Sequence, residues 1–297
     1  MLKLTIAVCT YNRERKLKRL LDAFAQDVAM PRNALIDFLI IDNNSPDDTQ
    51  VVVNSFKKKL PLRLVSEENQ GLSHARNKAL SEMGSDWLIF IDDDVVPDNQ
   101  LLIAYVELLK SCEFDYVAGR VLINWFDSKP KWLIDEDLAL LSGVLVKFDL
   151  GVETKPLEEL NEFPRGANFA ISSALINSVG EFNPELGVKA DIPGRGEETD
   201  YIVRARELGF KGVYCGQACC FHDGLLERLT TRYLLVHGFE KGRTEFITGN
   251  TKNFKKHSEV KLWLKAVWQL IKGRRDRYLQ SVINIGMQRG YISESKA

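Results

Sequence analysis

Residues 87–94 read WLIFIDDD, an unbroken apolar run that ends in three carboxylates. Its apolar part, Trp87–Ile91, predicts a strand that is buried on both faces of a sheet. Asp92, Asp93 and Asp94 follow at once. Because adjacent carboxylates repel one another, a sequence seldom places them after a buried strand for stability alone. A divalent cation relieves the repulsion through oxygen ligands, and alternation along an extended chain puts Asp92 and Asp94 on one side. The alternative is a solvated acidic turn that caps the next helix.

Outward from this stretch, short apolar runs alternate with segments of helical periodicity. The predicted strands are Leu4–Thr10, Asp37–Asp42, Leu62–Ser66 and Tyr116–Leu122. The predicted helices are Arg13–Val28, a helix from a capping box at Ser45 and Asp48 to Phe56, Leu72–Met83, and a helix from a cap at Asp98 to near Cys112. This alternation predicts an α/β fold with a mostly parallel sheet flanked by helices. Ligands of such sheets bind at the carboxyl ends of the strands.

The second half of the chain is less regular. A flap or insertion is expected over Asn124–Pro164, a strand over Arg165–Ser172 and a short helix over Ser173–Val179. A helix over Thr199–Leu208 then precedes two short strands, GVYC and ACCFH, and the chain is mainly helical from about Glu227. We therefore expect an α/β domain over residues 1–225 and a basic helical region over residues 226–297.

Composition and charge limit the class of protein. The 297 residues are 45% apolar and 27% charged, which excludes a disordered chain. Five scattered cysteines without a CxxC pair disfavour a disulfide framework or zinc site and fit a reducing cytoplasm. We expect neither a membrane-spanning run nor a secretory signal.

Residues 221–297 hold 15 Lys and Arg against 7 Asp and Glu, whereas residues 1–220 hold 25 against 34. This asymmetry indicates either a second task for the tail or a solvated Lys-rich face.

The residues after the first three strands do not match the common nucleotide-binding loops. Thr10-Tyr11-Asn12-Arg13 has no glycine-rich turn and the chain has no Walker-type loop, which disfavours NAD-type and P-loop sites. Asp42 belongs either to a polar turn or to a site that hydrogen-bonds a nucleoside. Gly71 lets the backbone turn, and Arg76 about one turn into the following helix makes the helix start a candidate anion site.

Two later groups carry titratable side chains. Glu197 and Glu198 directly precede a predicted helix, where acidic residues favour the helix dipole and where a carboxylate can serve as general base. His222 ends the strand ACCFH and is either structural or directed at the triple aspartate.

Six segments, in this order, resemble the family 2 inverting glycosyltransferases: TYNR, IIDNNSPDDT, ENQGLSHARNKAL, IFIDDDVVP, RGANFAIS followed by VGEFN, and GEETDYIVRARELGF. They cover roughly residues 4–225, and KPKWL together with FHDGLLERLT and GFEKGRTEF resembles a bacterial branch of the family. The resemblance implies a GT-A fold with a Rossmann-like sheet, a nucleotide-diphosphate-sugar donor, Mn²⁺ or Mg²⁺ as cofactor, and transfer with inversion.

The resemblance also assigns roles to residues of this sequence. The residues that would bind the nucleotide-sugar are Thr10, Tyr11, Arg13, Asp42, Gly71, Arg76, Asp92, Asp93, Asn168 and Arg243. Of these, Asp42 would contact the base and Arg243 would lie near the phosphates. Asn168 would lie near the donor sugar and the acceptor, together with Gly166 and Ala167. The metal would be held by Asp92, Asp94 and His222, with Asp94 the more direct ligand. Glu198 would be the general base, beside Glu197, in a pair that is commonly Glu-Asp in the family.

The function expected from the resemblance is transfer of a sugar, with UDP as the first choice of nucleotide, to a hydroxyl of a glycan or lipid-linked acceptor in surface polysaccharide biosynthesis. We expect a cytoplasmic enzyme, with peripheral contact to the inner face of an anionic membrane, and no nucleic-acid partner. One alternative is a sugar-nucleotide pyrophosphorylase, which would have a glycine-rich loop after the first strand, where this chain has TYNR. Another is a haloacid-type phosphohydrolase, which would have its aspartates after the first strand, whereas here they follow the fourth. A non-catalytic carbohydrate- or nucleotide-binding protein would have lost the aspartates or the glutamate pair.

The basic C-terminal region carries an amphipathic pattern. One predicted helical stripe is apolar, and the adjacent stripe combines lysines with a tryptophan: Val260, Leu264, Val267 and Ile271, then Lys261, Lys265, Trp268 and Lys272. Arg274, Arg275 and Arg277 extend the positive charge. Lysine beside tryptophan suits a lipid headgroup region, so one interpretation is docking on a membrane. In the other, the apolar stripe packs on the catalytic domain and the lysines are solvated.

Overall fold

The computed structural model describes residues 1–111, 113–125, 129–133, 141–157, 162–188, 196–248 and 258–296. The chain forms two compact units. The first combines Met1–Asn124, Phe148–Glu185 and Glu197–Asp223, and the second combines Trp125–Lys147, Leu186–Gly196 and Gly224–Ala297. The second unit thus joins the expected C-terminal region to two earlier segments. Cys112, the expected end of one helix, lies outside the described residues.

Nine described strands form one sheet in the first unit. They are β1 (Leu2–Thr10), β2 (Ala34–Asp42), β3 (Leu62–Ser66), β4 (Trp87–Ile91), β5 (Val95–Pro97), β6 (Tyr116–Asn124), β7 (Thr154–Pro156), β8 (Asn168–Ser172) and β9 (Gly212–Asp223). Their order is β3-β2-β1-β4-β8-β6-β9-β5, with β7 paired to β9. The fold is therefore the predicted α/β class, and β9 is one strand where two short ones are predicted.

The first four strands of the sheet are parallel and create a crevice at their carboxyl ends. β1 lies between β2 and β4, so the order of the strands reverses at β1. Such a reversal opens a ligand-binding crevice between the carboxyl ends of the diverging strands. Thr10 ends β1 and Asp92 follows β4, so both lie at this crevice.

The second half of the sheet is mixed, and this arrangement brings a distant segment to the crevice. β8 runs antiparallel between β4 and β6. Ile91 at the end of β4 therefore lies opposite Asn168 at the start of β8, and the Asp92 N–H donates to the Ala167 carbonyl at 3.3 Å. Every residue of β4 and β8 is buried, so these two strands anchor the crevice in the core.

The described helices, in chain order, are α1 (Glu14–Gln26), α2 (Thr49–Phe56), α3 (Leu72–Ser81), α4 (Leu101–Leu109), α5 (Ser142–Leu145), α6 (Ser173–Val179), α7 (Glu197–Glu207), α8 (Thr231–Ile247), α9 (Glu259–Ile271) and α10 (Arg275–Glu294). A 3₁₀ turn covers Leu226–Leu229. Most of the predicted helices are present, with shifted ends.

Two predicted helix starts are wrong. Ser45 does not cap a helix, because its hydroxyl accepts from the Asn12 N–H at 3.0 Å and α2 begins only at Thr49. The Ser45 N–H donates to the Asp42 carboxylate at 2.9 Å in the turn after β2. Asp98 accepts a hydrogen bond from the Gln100 N–H at 2.9 Å, but Gln100 occupies the cap position of α4. In both places polar side chains build a turn before the helix begins.

In the second unit, α8 and α10 approach one another through glycines. Gly238 and Gly242 on α8 lie against the backbone of α10, and Gly286 and Gly290 lie against the backbone of α8. A Cβ atom at residue 242 would lie only 2.0 Å from the carbonyl oxygen of Met287. The close crossing of these helices therefore depends on glycine. None of the helices in the described part of the chain has the length and apolar composition needed to cross a membrane.

Candidate active site

The turn after β4 and the end of β9 bring acidic side chains and a histidine together. β5 pairs antiparallel with β9, so Val95 lies opposite His222. As a result His222 Nε2 lies 3.2 Å from Asp94 Oδ1. One ligand atom from each of Asp92, Asp94 and His222 lies within 4.8 Å of the other two. The structure thus brings together the three side chains that the sequence proposes as metal ligands.

The hydrogen bonds of His222 fit a cation site. Its Nδ1 lies 3.0 Å from the backbone carbonyl of Asp223, so a proton assigned to Nδ1 would be donated there. The Nε2 lone pair is then directed at the Asp94 carboxylate, and two such acceptors attract one another only through a shared proton or cation. Carboxylate oxygens with one imidazole are ligands that Mg²⁺ and Mn²⁺ accept. The donor set therefore fits either ion.

The neighbouring charges keep Asp94 ionised, as a metal ligand must be. Burial alone would raise its pKa, but a proton shared with His222, then the charges of Arg13 and Lys16, lower the pKa below its usual range. Arg13 Nη1 and Lys16 Nζ lie 3.2 and 3.5 Å from Asp94 Oδ2.

Asp93 serves a different set of partners. Its carboxylate accepts from the Thr10 hydroxyl at 2.7 Å and from Arg13 Nη1 at 3.0 Å. Burial raises the pKa of Asp93 to about 6, although Arg13 opposes the shift. Asp93 therefore ties the end of β1 to the turn after β4.

A pair of glutamates occupies the first turn of α7, which begins two residues earlier than predicted. Glu197 is buried, and its Oε1 accepts from Arg76 Nη1 at 2.7 Å. Glu198 is half-buried. Burial and then the charge of Glu198 raise the pKa of Glu197 to about 8, against the lowering by Arg76, and the two glutamate side chains share a hydrogen bond. A protonated Glu197 donates this bond and leaves Glu198 as the acceptor of a further proton.

Arg76 connects the glutamate pair to the acidic cluster. Burial would lower the pKa of Arg76, but the charges of Glu197, Glu198 and Asp92 raise it. Its Nη2 also lies 3.4 Å from the Gly166 carbonyl oxygen, next to Ala167, whose carbonyl accepts from the Asp92 N–H. The base candidates and the metal-ligand candidates therefore belong to one site. Arg76 itself is buried and paired to Glu197, and its expected contact with the nucleotide stays a prediction.

The expected nucleotide side of the crevice is ordered by hydrogen bonds within the chain. Asp42 is buried, and it accepts from the Ser45 N–H at 2.9 Å and from Gln50 Nε2 at 3.3 Å. Gly71 precedes α3 with a φ of 141°, a region that favours glycine. Tyr11 follows β1 and is half-exposed.

Two other predicted site residues have their polar atoms engaged by protein groups. The buried Asn168 amide accepts from the Tyr105 hydroxyl at 2.7 Å and donates to backbone carbonyls of β6 and β9, which makes it part of the sheet framework. Arg243 belongs to the second unit, where it pairs with Glu240 at 3.1 Å and with Glu294. Their contacts with a donor stay predictions.

Sequence reasoning missed residues that hold the site loops. Asn43 donates to the carbonyls of Glu67 and Asn69 at 3.0 and 2.7 Å and accepts from the Gly71 N–H at 2.8 Å, so it fixes the loop before α3. Arg19 on α1 reaches both oxygens of Asp223 at 2.8 and 2.9 Å, directly after His222. The position of Asn43 at a strand end was a usable signal, whereas the Arg19 contact spans 204 positions of sequence.

Comparison with known proteins identifies the family. The model of glycosyl transferase family 2 matches residues 5–164, more than half of the chain. Succinoglycan biosynthesis protein ExoM of Rhizobium meliloti is 26% identical over 46% of this chain and 44% of its own length. O-antigen chain rhamnosyltransferase WbaN of Salmonella anatum is 25% identical over 74% of this chain and 65% of its own length. The matches thus span about half the length of such curated relatives.

Solved structures share the fold. The mannosyltransferase PcManGT from Pyrobaculum calidifontis, in complex with GDP-Man and Mn²⁺, is 15% identical with a TM-score of 0.66, covering 98% of this chain and 87% of that one. S. aureus TarS 1-349 in complex with UDP-GlcNAc is 16% identical with a TM-score of 0.57, covering 99% and 92%. At these identities the likeness shows the fold alone, and it confirms the predicted GT-A architecture.

Proposed function

We propose that this chain, which belongs to glycosyl transferase family 2, transfers a sugar from a nucleoside diphosphate sugar to a hydroxyl of a glycan or lipid-linked acceptor, with inversion. The observation that carries the proposal is the position of Arg76 between the glutamate pair and the acidic cluster. Arg76 pairs with Glu197 at 2.7 Å and contacts Gly166, and the next residue, Ala167, accepts from the N–H of Asp92 in the cluster with Asp94 and His222. The reaction needs both groups, because a diphosphate leaves as a proton is removed from the acceptor.

The acidic cluster is the proposed site for the diphosphate end of the donor. Asp92, Asp94 and His222 would hold Mn²⁺ or Mg²⁺, which when bound neutralises charge that develops on the leaving diphosphate. Arg13 lies beside this cluster with nearly half of its side chain exposed, at 46%, and it would add a positive charge there.

The glutamate pair is the proposed base. Glu198 takes the proton from the acceptor hydroxyl, whose oxygen forms a bond to the anomeric carbon as the carbon–diphosphate oxygen bond breaks on the opposite face. Attack opposite to the leaving group gives inversion in one displacement. Glu197 supports this assignment, because in its protonated form it donates to Glu198 and is not itself free to accept a proton.

The nucleotide and the biological role rest on the relatives. TarS binds UDP-GlcNAc and PcManGT binds GDP-Man, so UDP is the first candidate here and GDP the second. ExoM is named for succinoglycan biosynthesis and WbaN for the O-antigen chain, which supports a role in surface polysaccharide assembly.

A donor panel tests the proposed function. UDP-, GDP- and dTDP-sugars are incubated with the full chain and Mn²⁺, and nucleotide release is followed with and without hydroxyl acceptors. We expect turnover of at least one donor, its loss in Asp94→Ala, and an inverted anomeric centre in the product by NMR. Failure of every donor to bind and react would refute the proposal.

We also propose that α9 docks the enzyme on an anionic membrane, where a lipid-linked acceptor is presented. Its apolar stripe is exposed to solvent, with exposed fractions of 67% for Val260, 66% for Leu264 and 76% for Ile271. Exposed lysines flank the stripe, and Lys272 Nζ lies 5.6 Å from the ring of Trp268. Each basic residue near an anionic leaflet contributes about 1 kcal/mol at low salt.

Flotation with vesicles tests this docking. At low salt the protein should float with phosphatidylglycerol vesicles and not with phosphatidylcholine vesicles. The double variant Leu264→Ser/Ile271→Ser should lose binding, whereas the control Val51→Ser/Leu208→Ser, which removes exposed apolar residues elsewhere, should keep it. An unbound wild-type protein, or equal loss in both variants, would contradict the docking role.

A further inference from the structure

Arg76 is a buried cation in an aromatic cage. It lies on α3 with 1% of its surface exposed. Its guanidinium carbon lies 5.4–5.5 Å from the ring centroids of Phe90, Phe169 and Phe182. Cation–π contacts lower the cost of burying this charge, but its N–H groups still require acceptors. The cage therefore limits the directions in which the guanidinium can bind.

The segment before β8 leaves room for this guanidinium. Arg76 Nη2 lies 3.4 Å from the Gly166 carbonyl oxygen. A Cβ atom at residue 166 would lie 2.5 Å from the same nitrogen, and the surrounding rings would resist its displacement. Glycine at position 166 thus permits the observed placement of Arg76.

The strongest acceptor of Arg76 is Glu197, at 2.7 Å from Nη1. Glu197 is the first residue of α7, so a buried hydrogen bond from Arg76 at this position fixes the first turn of the helix. Glu198 is the next residue, and the direction in which its side chain leaves the helix is fixed with it. The carboxylates whose charges act on the guanidinium are those of Glu197, Glu198 and Asp92.

We infer that Arg76 is a positioning residue for the general base, since it holds Glu197 in place and thereby sets the direction of the neighbouring Glu198 side chain. The inference rests on the proposed glycosyltransferase activity. It differs from a donor-binding role for Arg76, because the guanidinium acts through Glu197 and touches no reacting atom.

Three variants separate positioning from donor binding. Arg76→Met removes the charge and keeps much of the volume, and we expect kcat to fall by about 10²-fold, as for a displaced catalytic group. Affinity for UDP with Mn²⁺, measured by calorimetry, should change by less than about threefold. Arg76→Lys should recover about tenfold of the lost kcat, because it restores the charge but not the two-nitrogen geometry. The control is Arg204→Met, which breaks the 3.0 Å ion pair between Arg204 and Asp200 on α7, the helix that also carries Glu197. This variant should keep the wild-type kcat.

The pH profile and a double variant separate positioning from simple stabilisation. Without the cation, Glu197 loses the charge that lowers its pKa. The fall in activity at high pH, where Glu197 gives up its proton, should therefore move to higher pH in Arg76→Met than in the wild-type protein. Arg76→Met/Glu197→Met replaces both polar partners of the buried pair by apolar side chains, a change that often restores stability. We expect this variant to regain thermal stability and not turnover.

Two results would overturn the inference. One is a loss of UDP affinity in Arg76→Met with kcat preserved, which would make Arg76 a donor ligand. The other is recovery of both stability and turnover in the double variant, which would make the pair purely structural. A wild-type protein that turns over no sugar nucleotide overturns the proposed function itself and the inference with it, so the two failures are distinguishable.

Discussion

Two neighbouring glutamates should respond differently to the same substitution. Glu198→Gln removes the group that takes the acceptor proton, and general-base catalysis contributes about 10²–10⁴-fold. This factor corresponds to roughly 3–5 kcal/mol of activation free energy. We expect kcat to fall by that factor, with little change in donor affinity, because the substitution keeps the size of the side chain and lies outside the acidic cluster.

Glu197→Gln should cost far less. With a pKa of about 8, Glu197 is mainly protonated at pH 7, and glutamine has the shape of the protonated acid. Its carbonyl can accept the Arg76 bond that now measures 2.7 Å, and its amide can donate to Glu198. The remaining loss is the difference between a carboxylic acid and an amide as the donor to Glu198, about 1 kcal/mol. That difference predicts a fall in kcat of less than about tenfold.

The assay compares both variants with the wild-type protein at pH 7, with one donor and one acceptor, and reports kcat and donor KM separately. A thermal-unfolding scan of each variant controls for loss of fold. A larger fall in kcat for Glu197→Gln than for Glu198→Gln would refute this reasoning and make Glu197 the base.

Three further predictions concern pH and packing. Folding raises the pKa of Glu197 from 4.5 to about 8, so binding of this proton stabilises the folded state at low pH and the stabilisation is lost as pH rises from 4.5 toward 8. The Tm of the wild-type protein should therefore fall more between pH 4.5 and pH 8 than the Tm of Glu197→Gln. Gly166→Ala places a Cβ atom 2.5 Å from Arg76 Nη2, and kcat should fall by roughly 10²-fold with UDP affinity retained. In Gly242→Ala the new Cβ atom would lie 2.0 Å from the backbone oxygen of Met287, so overpacking of about 1–3 kcal/mol should lower Tm by several degrees. In the control Gly84→Ala the Cβ atom has no atom within 4 Å, and Tm should stay within about 1 °C of the wild-type value. Calorimetric scans and steady-state kinetics check these predictions, and equal responses of the two alanine variants would contradict the packing argument.

The local signals of the sequence predicted the core of the fold and the acidic turn. Trp87–Ile91 is a strand with the predicted bounds, because an unbroken apolar run has one favourable environment. Asp92 and Asp94 face the same cluster, as alternation along the chain predicts. These features depend on neighbouring residues only, which is why the sequence was sufficient.

Features that depend on distant pairing were predicted incompletely. His222 reaches Asp94 because β5 pairs with β9, and the sequence alone left its role open between structural and metal-binding. Arg76 was expected at an anion site from its place near a helix start, and near the nucleotide from the family resemblance. Its cage is built by Phe90, Phe169 and Phe182, from three separate parts of the chain, and no local pattern reveals that they meet.

The central claim is that the Asp92, Asp94 and His222 cluster binds the donor through a divalent cation. Calorimetric titration of UDP and of GDP into the full chain, with Mn²⁺ and then with excess chelator, tests it most directly. We expect at least one nucleotide to bind with Mn²⁺. Its affinity should fall tenfold or more, which is about 1.4 kcal/mol, when chelator is added or in Asp94→Ala. The control is Asp98→Ala, whose carboxylate accepts a hydrogen bond in the turn before α4, and it should bind the nucleotide as the wild-type protein does. Equal affinity with and without chelator would contradict the claim.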